Sequence, residues 1–143
     1  MVENNFINQI NREIDAHHLA MDQLDQGLCN DILLRVCKTF LFNLNNLFLW
    51  ESDNEHASII HYSENWDEKY YEITSFITDE AYLVITDSEW SPWPMFKGNV
   101  SEFKTLLENL RYCEYFIVDA KFKRVIFDTH HNSFILFENI SNE

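Results

Sequence analysis

At 143 residues the chain has the length of one domain, and a chain of this size buries roughly 68–70% of the surface its unfolded form exposes, enough for a core without staples. Apolar residues at 46% and aromatics at 15% argue against disorder. A formal net charge of −14 repels phosphate backbones and anionic lipid, so neither nucleic acid nor a membrane is the expected partner.

In chain order, the first predicted element is a helix. Phe6, Ile7, Ile10, Ile14, Met21 and Leu24 recur near steps of three and four. Asp25-Gln26-Gly27 breaks the pattern, and Gly27 reads as a C-terminal cap. Asn30 or Asp31 then caps a second helix carrying Ile32, Leu33, Val36, Cys37, Phe40 and Leu41. Leu47-Phe48-Leu49-Trp50 is a short apolar run, either a strand or the end of the helical region. Ala57 to Tyr62 reads as a strand, and Asp67 to Phe76 as a short helix with Tyr70, Ile73 and Phe76 on its core side. Ala81 to Thr86 is the clearest central strand, with Tyr82 expected in the core. Asp87 to Pro94 is expected to be a loop stiffened by Pro92 and Pro94.

Asn99 with Glu102 three residues on makes a capping-box pattern for a helix whose stripe is Val100, Phe103, Leu106, Leu107 and Leu110. Three strands follow, Tyr112 to Val118, Arg124 to Phe127 and Ser133 to Phe137, joined by turns short enough for antiparallel hairpins. The expected fold is one α+β domain over residues 1–143, with N-terminal helices packed on one face of a mostly antiparallel sheet that ends in a strand meander.

Cys29, Cys37 and Cys113 form no CxxC pair and read as buried free thiols. The opening MVENNFINQINREID has neither a basic n-region nor an apolar h-region. Apolar runs fall short of the roughly 20 residues that span a bilayer. A cytoplasmic location is expected.

Charge is unevenly placed. Glu51 to Pro94 holds eleven carboxylates and one cation, Lys69, with Tyr62, Trp66, Tyr70, Tyr71, Tyr82, Trp90 and Trp93 interleaved. Met1 to Trp50 nets only minus three, and Met95 to Glu143 minus one. Acid mixed with large aromatics is the makeup of a surface that grips a basic protein: carboxylates steer the encounter and indole or phenol rings supply the desolvated contact. Solvated acid beside half-buried rings also arises with no partner at all. The candidate anchors are Trp66, Trp90 and Trp93, and the candidate rim is Glu64, Asp67, Glu68, Asp87 and Glu89.

Signals for catalysis are weak. His17-His18 and His130-His131 lack zinc-ligand spacing, and neighbours on a helix point about 100° apart. Asp87, followed thirty-two residues on by Asp119-Ala120-Lys121, matches the order of a D…(D/E)xK metal-nuclease site. A strand, an Asp turn and a basic residue is also an ordinary hairpin, and the net charge is wrong for holding nucleic acid. Nothing resembles a nucleophile elbow, and with Gly27 and Gly98 as the only glycines a phosphate loop is excluded. No cofactor is expected.

The run FKGNVSEFKTLLENLRYCEYFIVDAKFKRVIFDTHHNSFI resembles the ending of small bacterial immunity proteins, through Phe96, Gly98, Glu114, Tyr115, Asp119, Asp128, His130, His131 and Asn132. Leu47 to Glu51 and Ile59 to Tyr62 resemble that group's middle, and the likeness covers about two thirds of the chain. Where such proteins often carry Trp and Cys in the final hairpin, this chain has Val125 and Phe127. The resemblance implies a cytoplasmic, non-catalytic partner of an LXG-type or contact-dependent toxin, binding its basic C-terminal domain in a stoichiometric complex. A nucleic-acid mimic is the alternative binder, and it needs carboxylates in rows at phosphate spacing. A metal-dependent nuclease using Asp87, Asp119 and Lys121 is the alternative enzyme.

Overall fold

A computed structural model describes residues 2–40, 42, 57–78, 80–86, 93–110, 113–129 and 132–138, with the main chain alone for 2–7. The elements are α1 (Val2–Ala16), β1 (Asp22–Gln23), α2 (Gln26–Phe40), β2 (Ala57–His61), α3 (Trp66–Thr74), β3 (Ala81–Ile85), β4 (Met95–Gly98), α4 (Val100–Glu108), β5 (Tyr115–Asp119), β6 (Arg124–Asp128) and β7 (Ser133–Glu138). The strands form one sheet in the order β1-β4-β3-β5-β6-β7-β2, antiparallel at every pairing. The class is α+β, and β5-β6-β7 is the expected closing meander.

Helices cover both faces of the sheet rather than one. The reason lies in the strands: Tyr115, Phe116, Ile117 and Val118 are all buried, so neither face of the central sheet can be left to water. Alternate residues feed separate cores. Val84, Met95, Phe116, Val118, Val125, Phe127, Ile135 and Phe137 pack with α2 through Ile32, Leu33, Val36 and Phe40. Ala81, Leu83, Ile85, Phe96, Tyr115, Ile117, Ile126 and Phe134 pack with Ile10 of α1, Tyr70 and Ile73 of α3, and Phe103 and Leu106 of α4. Since β4 and β5 both run antiparallel to β3, they are parallel to each other, and α4 provides the crossover between them.

Three differences from the sequence reading have local causes. The first helix ends at Ala16 rather than near Gly27; His18 takes the left-handed conformation (φ 52°), which no helix continues. The chain then runs across β4, where a Cβ on Gly98 would sit 2.9 Å from Cβ of Met21 and 3.1 Å from the Ala20 carbonyl oxygen. That glycine lets the strand and crossing segment meet, and Asp22 and Gln23 pair with Lys97 and Phe96 as β1. Helix α2 starts earlier than expected, with Gly27 inside it: the Asp25 Oδ1 accepts the Leu28 amide at 2.8 Å, the N-cap role assigned to Asn30 or Asp31.

Strand β4 occupies Met95–Gly98, between the expected loop and the expected helix, where no element is predicted. Phe76, expected in the core, is 60% exposed: α3 stops at Thr74, so it falls out of helical phase, and the Arg124 guanidinium lies 5.3 Å from its ring centroid. Tyr82 is half-buried against the α2-side core. Leu47 to Trp50 lies outside the described residues.

The capping box at α4 is half-formed. Asn99 Oδ1 accepts the Glu102 amide at 3.0 Å, while the Glu102 carboxylate accepts the Ala20 amide at 2.7 Å and ties the crossing segment to α4.

Candidate functional site

At the C-terminal end of β6, Asp128 is in phase with Ile126 and faces the core beneath α3 and α4. The residue is only 4% exposed. Three aromatic side chains donate to it: the Tyr62 hydroxyl to Oδ1, and Trp66 Nε1 (2.9 Å) and the Tyr115 hydroxyl (2.8 Å) to Oδ2. Tyr115 stands on β5 directly across the ladder from Asp128. Tyr62 follows β2, whose return to β7 is fixed by five paired residues and by the Tyr62 amide donating to the Asn132 carbonyl at 3.0 Å. Trp66 opens α3. Three elements distant in sequence thus close on one carboxylate.

Burial pushes the Asp128 carboxyl above its ordinary range, and the bonds from Tyr62, Trp66 and Tyr115 oppose that. The same surroundings push the Tyr115 phenol well up, burial first and the Asp128 charge second. Tyr70 moves the same way for the same reasons; its hydroxyl donates to the Val100 carbonyl at 2.7 Å and pins α3 to α4. These phenols therefore stay protonated as donors. None of the described groups touching Asp128 carries positive charge.

Above the cluster lies a cleft of about 400 Å³, walled by Tyr62, Trp66, Leu107, Cys113, Tyr115 and Asn132, with Asp128 at its floor and Asp67 and Glu108 at its edge. The Trp66 ring stacks obliquely on Tyr70 (centroids 5.0 Å apart), and Lys104 Nζ stands 6.0 Å from its centroid while bonding Glu108 at 2.6 Å. The Glu108 bond and the Asp67 charge help hold that lysine protonated.

The sequence-predicted anchors are separated by the sheet. Trp66 belongs to the α3 side and its indole N–H is engaged with Asp128, whereas Trp93 is half-buried against the α2-side core, on the opposite face. The two do not form one contiguous surface. Glu64, Asp67 and Glu68 do lie together at the start of α3, exposed, where the helix N-terminus favours acid. Asp87, Glu89 and Trp90 lie outside the described residues, as do His130 and His131. What the sequence reading missed are the exposed aromatics of this region: Tyr71, 75% exposed between Asp67, Glu68 and Glu72, and Phe76 just beyond the helix. The signal was available, since Tyr71 is a helical neighbour of Asp67 and Glu68 and out of phase with Tyr70 and Ile73.

Asp119, offered for a metal, is occupied as a turn residue. Its Oδ1 accepts the amides of Lys123 (2.6 Å) and Arg124 (2.9 Å), closing the β5–β6 hairpin. Among the described residues no group of three or more His, Cys, Asp or Glu is placed to hold a metal ion. Cys29, Cys37 and Cys113 are buried and in no disulfide; burial pushes the Cys37 thiol up to about 11 and raises Cys29. Among the described residues no helix is long and apolar enough to cross a membrane.

Together these features define an α+β protein with helices on both faces of an antiparallel sheet and an aromatic-lined cleft over a buried carboxylate. The chain belongs to the DUF6756 family, a family of unknown function whose model matches residues 4–143. Comparisons with curated proteins and with solved structures return no match.

Proposed function

We propose that this chain is a non-catalytic binding protein that neutralises a basic protein, most simply the C-terminal domain of a cognate toxin, by forming a stoichiometric complex in the cytoplasm. The observation that carries this reading is the outer surface of α3. Tyr71, 75% exposed, stands among Asp67, Glu68 and Glu72, with Glu64 just before the helix; Lys69 is paired with Glu72 at 3.3 Å, and Phe76, 60% exposed, lies just beyond the helix end against the Arg124 guanidinium. Exposed rings of this size are costly unless used, and acid around them suits a cationic partner by steering its approach. The barnase–barstar pair, a worked example of this logic, shows how an acidic inhibitor can gain association rate this way.

The partner to test is the basic terminal domain of a long toxin chain encoded beside this one. Mixed in solution, the two should form a one-to-one complex that abolishes the toxin's activity. Tyr71→Ala should weaken it by about tenfold or more, as a buried aromatic anchor does. A toxin that remains fully active in equimolar mixture, with no complex on sizing, removes the reading.

A further inference from the structure

The cleft over Asp128 has not entered the docking surface, which lies on the outer side of α3, yet it shares Asp67 and the start of that helix. Its composition is specific. The floor is Asp128, a residue 4% exposed, whose three described partners, Tyr62, Trp66 and Tyr115, are all neutral. A buried charge is normally met by an opposite charge or a metal. Among the described residues hydrogen bonds alone hold it, and they occupy three of the roughly four positions at which a carboxylate accepts. Trp66, Tyr62 and Tyr115 line the walls, and an aromatic ring attracts a cation placed over its face. Two further carboxylates, Asp67 and Glu108, stand at the edge, with Lys104 the one described cation beside them. Among the described residues, three carboxylates, Asp67, Glu108 and Asp128, stand against one cation, Lys104.

We infer that this cleft receives one arginine side chain of the protein partner, its guanidinium held between the Trp66 and Tyr62 rings over the Asp128 carboxylate and steered in by Asp67 and Glu108. The inference rests on the reading of α3 as a docking face for a basic protein and names the pocket beside that face. Arginine fits better than lysine because a planar, weakly hydrated guanidinium stacks on aromatic rings and offers several donors, whereas a compact ammonium loses more hydration on entering. The opening of about 400 Å³ lies in the range of pockets that hold small ligands and admits one long side chain. No bond is made or broken; the step is binding alone.

The test needs no toxin. The isolated protein, labelled at its indole nitrogens, is titrated with N-acetylarginine amide and, separately, with N-acetylcitrulline amide, the neutral isostere. The Trp66 indole resonance is assigned by its absence from Trp66→Phe. Saturable movement of that resonance is expected with the arginine compound, with a dissociation constant on the order of 1–30 mM. The citrulline compound should bind at least about tenfold more weakly, the discrimination expected when the charge is what is recognised. Asp67→Asn combined with Glu108→Gln, both at exposed sites, should weaken arginine binding about threefold or more while leaving the circular dichroism spectrum unchanged. Absence of a saturable shift, an equal response to citrulline, or indifference to the double substitution overturns the inference. Because the partner is not in the tube, each of these results removes the cleft as an arginine pocket without touching the α3 face, whose own failure is read from Tyr71→Ala in the complex.

Discussion

The two faces of the sheet are built by the same alternation along the same strands, and they are used differently. On the α2 side, Phe40, Phe42, Phe116, Phe127 and Phe137 interlock, with Phe42 edge-on to Phe127 and Phe137 at 5.5 and 5.0 Å. Such T-shaped pairs add about 0.5–1.5 kcal/mol beyond area burial. On the α3 side the strand face gives one of its positions to a carboxylate, and three aromatic donors are spent satisfying it. A protein needing only stability would place an apolar residue at position 128, as it does at the in-phase Ile126. The difference separates a face that holds the molecule together from one whose chemistry exceeds what folding requires.

The sharpest way to test that division is to damage each face in turn. Phe116→Ala on the α2 side should cost about 3–5 kcal/mol in urea unfolding, as large core truncations do, and leave arginine-analogue binding at Trp66 unchanged. Loss of that binding in a still-folded Phe116→Ala protein would break the comparison. Asp128→Ala strands the donors of Tyr62, Trp66 and Tyr115; Tyr62 and Trp66 can partly recover water, so the expected loss is about 3 kcal/mol. A loss below about 1 kcal/mol would mean the cluster is not the satisfied network it is taken to be.

pH sharpens the same point. Because the folded-state pKa of Asp128 is raised above its ordinary 3.8, the folded protein holds that proton more tightly than the unfolded chain. The contribution is fully present below 3.8 and is lost as pH rises through the folded value. Stability of the wild type relative to Asp128→Asn should therefore decline with rising pH from about pH 3.8 upward. A relative stability that climbs over that interval has the wrong sign. Gly98→Ala, which drives a methyl against Met21 and the Ala20 carbonyl, should cost about 1–3 kcal/mol where β1 crosses β4 without affecting binding at the α3 surface or the cleft.

Much of the fold could be read from local signals. Ala81–Ile85, the β5–β7 meander and the Asn99-led helix carry complete patterns within five to ten residues. The rest depended on contacts that local patterns do not carry. β4 has four residues and follows a proline, and β1 has two and pairs where Gly98 permits a close crossing. The Asp128 cluster joins residues 13, 62 and 66 positions apart, so no spacing rule reaches it. A hint was present in VIFD: an acid two residues after Ile126, in a strand apolar on both faces, must be buried and must find donors. The α3 acids were read directly, but their exposed aromatic companion is Tyr71, because Trp66 turned inward and Trp93 went to the other core.

The claim that the α3 side meets a basic protein is tested most directly by the association rate with the cognate toxin domain across a series of salt concentrations. The wild type should associate at about 10⁷ M⁻¹s⁻¹ or faster at low salt and slow steeply as salt rises, while Asp67→Lys with Glu68→Lys should be at least about tenfold slower at low salt with a flattened dependence. Equal rates and equal salt slopes for the two proteins would contradict it.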